Sequence, residues 1–221
     1  MRVLLIHGLG RTPLSLLGLA RDLKRGGHQP QMCAYVGALE SYRAIAARVR
    51  RRLQATAATD EPYAAIGHSL GGLILRSALA DWPAGLPLPR CIVMLGTPNR
   101  SPRLARRFQH WRLYRWVNGE AGQLLARPEF FARLPIPKVP LTVIAGTRGW
   151  LRGVSLFDGE PNDGVVAVAE TQLSPDARVF ELPASHTFMM NNQQVRALVR
   201  EVLGRAAPAG RTIHPADRES R

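Results

Sequence analysis

The sequence predicts an α/β domain built on a parallel sheet with helices on both faces. Two observations carry this. Short apolar runs of four to six residues recur along the chain, and stretches with helical periodicity separate them. Composition agrees, with 46% hydrophobic and 21% charged residues in a chain of 221, enough for one domain with a full core.

Each element has a local reason. Val3–His7 is apolar and ends in Gly8, as a buried parallel strand does. Pro13–Lys24 carries Leu16, Leu17, Leu19, Ala20 and Leu23 at helical spacing and stops at Gly26–Gly27. Gln31–Val36 reads as a second strand, and Leu39–Ala58 as a long helix with an arginine face. Tyr63–Gly67 is a third strand, followed at once by a helix over Leu70–Trp82 that Pro83 ends. Cys91–Gly96, Leu141–Gly146 and Val179–Leu182 complete about six strands, and Asn191–Leu203 is the last helix. Residues 207–221, rich in Pro, Gly and Arg, read as a flexible basic tail beyond a domain of 1–206.

Two segments break the rhythm. Residues 99–137 are too long for a plain connection and read as a helical insertion. Leu104, Phe108, Trp111 and Tyr114 recur in it at steps of three and four, which predicts one apolar, aromatic helix face with arginines on the others. Residues 147–170 form a long loop that contains the run Asn162-Asp163-Gly164-Val165-Val166.

The net charge is +14, and only Lys24 and Lys138 among the thirty basic residues are lysine. Nucleic-acid binding, attraction to an anionic surface or acidic substrate, and a plain preference for Arg codons all produce such a balance. No zinc-ligand spacing, aromatic RNA-binding motif or heptad repeat accompanies the charge, so no nucleic-acid partner is expected. No apolar run approaches a membrane span. The first residues lack the apolar core of a signal peptide, and Cys33 and Cys91 make no disulfide framework. A cytoplasmic location is the expectation.

The chemistry centres on Gly67-His68-Ser69-Leu70-Gly71, a G-x-S-x-G pattern at a strand–helix junction. A sharp turn there lifts the serine hydroxyl clear of the sheet. An acyl-transfer oxyanion needs two donors. The Leu70 N–H is one candidate, and the Leu9 N–H in the turn His7-Gly8-Leu9-Gly10 is the other. His7 and His68 fall inside these turns, where packing and loop hydrogen bonds are the simpler roles.

With these motifs, Gly96-Thr97-Pro98 and Ser185-His186, the chain resembles the α/β-hydrolase superfamily, and within it compact bacterial lipase- and esterase-like serine hydrolases. The resemblance spans residues 3–205. It implies a nucleophile, acid and base in that order: Ser69, Asp163 and His186. Asp158 is the main rival for the acid, with Glu160 behind it, and neither has the two valines that follow Asp163. It also implies an almost entirely parallel sheet, because the strand bearing His7 comes first, and a lid formed by residues 99–137. The implied reaction is hydrolysis of a carboxylic ester, with lipid-like esters favoured by the aromatic insertion. Thioesterase, amidase or acyltransferase chemistry on the same triad, or a non-catalytic binding module, are the alternatives. No cofactor or metal is implied. The implied partners are the acyl ester itself and an anionic membrane touched from outside.

Overall fold

The computed structural model describes residues 1–149, 157–174 and 177–207. The predicted tail lies outside these residues, save for Ala207. Six strands form one sheet: β1 (Arg2–Ile6), β2 (Gln29–Cys33), β3 (Tyr63–His68), β4 (Ile92–Leu95), β5 (Leu141–Gly146) and β6 (Val179–Leu182). The order is β2-β1-β3-β4-β5-β6, and every neighbouring pair is parallel. From β1 the chain steps outward to β2, then returns across β1 to β3 and continues the other way. The loops after β1 and β3 therefore lie side by side at the C-terminal edge of the sheet, where such sheets open a crevice.

Helices cover both faces. On one, α1 (Leu17–Arg25) and α8 (Gln193–Ala206) pack Leu19, Leu23, Val195, Val199 and Leu203 against Val3, Leu5, Ile66 and Val93. The spacing of four along each helix places these side chains on one stripe. On the other face, α2 (Tyr42–Ala57) and α3 (Leu70–Ala78) bury Ile45, Val49, Leu53, Leu73 and Ile74 against Leu4, Ile6, Ala65 and Met94. Ser41 caps α2 by accepting a hydrogen bond from the Ala44 N–H, and the first helical residue, Tyr42, comes three residues later than the sequence pattern placed the start.

The second strand also differs from expectation. It begins at Gln29 and ends at Cys33 rather than spanning Gln31–Val36. β2 is an edge strand, so Pro30 is tolerated in it. Tyr35 has left the ladder: its hydroxyl donates to the His7 carbonyl (2.8 Å) and its ring stacks on the His7 imidazole.

The insertion is not one helix with one aromatic face. It forms α4 (Arg103–Phe108), α5 (Arg112–Leu125) and α6 (Pro128–Arg133), and α5 kinks at Gly119, whose φ is 56°. Trp111 is extended at ψ 128°, so the helical register that joined Leu104 to Tyr114 breaks there. The insertion packs on the body through Ala105, Ala121, Leu125, Phe131 and Leu134. The outward side of α5 instead exposes Leu113, Trp116 and Val117 beside Arg112 and Arg115, with Trp116 79% exposed. A short α7 (Val168–Thr171) precedes β6.

Candidate active site

Ser69 sits between β3 and α3 with φ 53° and ψ −121°. A non-glycine residue in this region carries about 1–3 kcal/mol of backbone strain and persists only where its surroundings fix it. Here the Ser69 N–H donates to the Leu95 carbonyl (2.8 Å), which extends the β3–β4 ladder into the turn. Any side chain on Gly67 would collide with the Gly72 amide, so the tight return of α3 over the strand requires glycine at that position.

His186 follows β6 and opens a 3₁₀ turn, His186–Asn191. Its Nδ1–H donates to Asp163 Oδ2 at 2.7 Å. Asp163 is 1% exposed. Its other oxygen accepts from the Val165 N–H (2.9 Å) and the Val166 N–H (2.7 Å). The valines therefore contribute their main-chain donors, and Val166 is also buried. A main-chain bond from the His186 N–H to the Asp163 carbonyl (2.9 Å) joins the two residues a second time. The rival carboxylates are elsewhere: Asp158 and Glu160 both pair with Arg103 on α4, and the Asp158 side chain is 75% exposed.

Gly8 lies directly against the serine, since a Cβ there would stand 3.0 Å from Ser69 Cβ. His7 Nδ1–H donates to the Gly8 carbonyl (2.9 Å), while His7 Nε2 accepts from the Tyr35 N–H (3.4 Å). The carbonyl and N–H of one trans peptide point in opposite directions. Holding the Gly8 carbonyl toward His7 therefore turns the Leu9 N–H away from it. Leu70 opens α3, so its N–H has no carbonyl one turn behind it within the helix.

His68, beside the serine, is almost fully buried, and its Nε2–H donates to the His186 carbonyl at 3.0 Å. Nδ1 is left without a hydrogen-bond partner among the described residues. Burial, reinforced by the neighbouring His186 charge, pushes the His68 pKa well below 6.5. The folded protein thus holds His68 neutral, whereas the unfolded chain protonates it below 6.5. Stability contributed in this way is complete above 6.5 and declines as the pH falls toward the folded-state pKa. We expect this histidine alone to remove about 1.4 kcal/mol of stability per pH unit in that window. Urea unfolding across about pH 7.5 to 5 measures the slope, and a flat profile would contradict a neutral buried His68.

Ser69 and His186 line one pocket of about 230 Å³. Its walls are mainly apolar, with Leu9, Leu104, Ala105, Leu125 and Val166, and its polar lining residues include Arg11, Asn118 and Thr187. Sequence reasoning missed Arg11, Asn118 and Thr187, which belong to no motif. It also missed Arg76, a buried guanidinium on α3 that donates to the Leu134 and Pro135 carbonyls and to Asn99 Oδ1, fastening the end of the insertion to the helix that follows Ser69. Among the described residues no group of three or more His, Cys, Asp or Glu side chains is placed to hold a metal ion. None of the described helices is long and apolar enough to cross a membrane.

No family model and no curated protein matches the sequence. Solved structures do match. The mature form of a lipase from Bacillus licheniformis superimposes with a TM-score of 0.76 at 17% identity, over 91% of both chains. A metagenomic carboxyl esterase gives a TM-score of 0.73 at 18% identity, over 93% of this chain and 75% of the other. An extracellular α/β-hydrolase from a Paenibacillus species gives 0.59 at 14% identity, over 95% of this chain and all (100%) of the other. With a six-stranded parallel sheet, helices on both faces and these structural neighbours, the chain has the α/β-hydrolase fold.

Proposed function

We propose that the protein is a serine hydrolase of carboxylic esters. The observation that carries this reading is the pairing of His186 with buried Asp163 at the wall of the pocket that also holds the strained Ser69. The Asp163 carboxylate keeps the proton on Nδ1, which leaves Nε2 unprotonated and able to act as a base. His186 takes the Ser69 proton as Oγ attacks the acyl carbon. The Leu9 and Leu70 N–H groups receive the oxyanion. The C–O bond to the alcohol breaks, and the alcohol leaves with the proton from His186. Water, deprotonated by the same imidazole, then attacks the acyl-enzyme and releases the acid and Ser69. None of these steps calls on a cofactor.

A fluorophosphonate probe tests the site directly, because Ser69 Oγ displaces fluoride from phosphorus and keeps the label. Peptide mapping should place the label on Ser69, and a label elsewhere or none would overturn the assignment. A panel of acyl esters, thioesters and amides should show esters turned over best.

The mainly apolar pocket and the lipase and carboxyl esterase among the structural neighbours favour a lipid-like ester. The exposed side of α5 supplies its setting. Leu113, Trp116 and Val117 face outward beside Arg112 and Arg115, and Tyr114 and Asn118 on the same helix line the pocket. An apolar strip flanked by arginines suits the surface of an anionic bilayer. The protein should sediment with anionic vesicles more than with neutral ones at low salt. Replacing Arg112 and Arg115 with Gln should weaken that by about fivefold per arginine. Equal binding to both vesicle types would remove the membrane from the proposal.

A further inference from the structure

Arg11 is a cation in the wall of the reaction pocket. It stands one residue beyond the turn Gly8-Leu9-Gly10, and it lines the same cavity as Ser69 and His186. Among the described residues its guanidinium makes one hydrogen bond, from Nη2 to the Thr187 carbonyl at 3.2 Å. Among the described residues it has no carboxylate partner: Arg2, Arg48, Arg103, Arg200 and Arg205 are each in an ion pair, and Arg11 is not. Among the described residues no acidic side chain lines the pocket: Asp163 is buried behind His186, and both Asp158 and Glu160 are held by Arg103. The charge is near enough to the Ser69 turn to help hold the adjacent His68 neutral.

A guanidinium offers five donors in a planar fork that fits a carboxylate or a phosphate. Arg11 spends one of them on a carbonyl that also orients it, and the others remain for a ligand. On the hydrolase reading above, we propose that Arg11 selects esters carrying a negative group, a phosphate or carboxylate a few bonds from the scissile carbonyl. A neutral ester fills the apolar wall and leaves the guanidinium to water. An anionic ester fills the same wall and gains a charge-assisted hydrogen bond in a partly desolvated site. Arg11 acts here on specificity, and the bond-making steps stay with Ser69 and His186.

Two matched pairs of substrates test this by titrating released acid. Monobutyrylglycerol and its phosphate monoester place the charge on the alcohol arm. Ethyl butyrate and monoethyl glutarate place it on the acyl arm. The wild-type protein should prefer the anionic member of at least one pair by about tenfold to a hundredfold in kcat/KM. The pair that shows the preference identifies which arm meets Arg11. Arg11→Gln should bring the ratio close to one, Arg11→Lys should keep part of it, and Arg11→Glu should invert it. A ratio near one in the wild-type protein overturns the proposal and leaves the hydrolase reading intact. So does an anionic preference that survives in Arg11→Gln, which would trace to the general field of the +14 chain. Absence of turnover on every ester overturns the hydrolase reading, and the Arg11 proposal with it. Calorimetry on Ser69→Ala with monobutyrylglycerol phosphate gives a readout separate from turnover. Binding should weaken about tenfold or more when Arg11→Gln is added, and unchanged binding counts against the proposal.

Discussion

Ser69→Ala should lower ester turnover by several orders of magnitude while the protein stays folded. On the proposed mechanism the oxygen removed is the one that attacks the acyl carbon. The proposed donors, the Leu9 and Leu70 N–H groups, and the pocket remain, so the residual rate should resemble the ~10³–10⁴-fold acceleration over water that such remnants give in serine hydrolases. The variant is not expected to unfold, since the Ser69 main chain is held by the bond to the Leu95 carbonyl and no side-chain cap bond is lost. Alanine keeps the Cβ that serine already holds at φ 53°, so the backbone strain is unchanged and the unfolding free energy should stay within about 1 kcal/mol of wild type. Ester turnover close to wild type in a preparation free of revertant would show that the hydroxyl does no chemistry.

Asp163→Asn should reduce kcat by about 10⁴-fold. The amide would face His186 Nδ1 with a donor or a weaker acceptor, and the imidazole would no longer be fixed with its proton on that nitrogen. The same substitution also weakens the acceptor for the Val165 and Val166 N–H groups, so part of the cost falls on the loop itself. Asp158→Asn is the comparison. Asp158 is exposed and shares Arg103 with Glu160, and its loss should change kcat by less than about twofold. If Asp158→Asn proves the more damaging of the two, the acid is misassigned and the Asp163–His186 pair is structural.

Much of the sheet was legible because a buried parallel strand must be apolar along its length. β4 and β5 fall within the apolar runs of the sequence, and β6, only half-buried and interrupted by Glu181, was placed by its flanking apolar residues. β2 was legible only in part: all its residues but Cys33 are exposed or half-buried at the sheet edge, and the Tyr35 ring packs on His7 rather than on a ladder. The insertion shows the limit of periodicity. Leu104, Phe108, Trp111 and Tyr114 keep helical spacing across a break, because a pattern of side chains does not record the one residue whose ψ leaves the helix. Ser69 and its glycines carry a local signature, since the bend itself demands them. Asp163 was harder, for its carboxylate is held by main-chain donors that any residues at 165 and 166 would supply. Arg11 had no signature at all: nothing in the sequence separates it from the other arginines until the fold places it in the pocket.

His68 gives the site a mechanical property. Its imidazole reaches from the end of β3 to the main chain of His186, and His186 is bonded twice to Asp163. His68, His186 and Asp163 are thereby strung together across the C-terminal edge of the sheet. β6, the last strand of the sheet, has no fully buried residue and pairs on one side only, so it is the part of the sheet most open to fraying. A fluctuation that loosens β6 from β5 would carry Asp163 and His186 together and leave them tethered to His68 beside Ser69. Heat inactivation should therefore follow the loss of the whole domain rather than the earlier loosening of its edge.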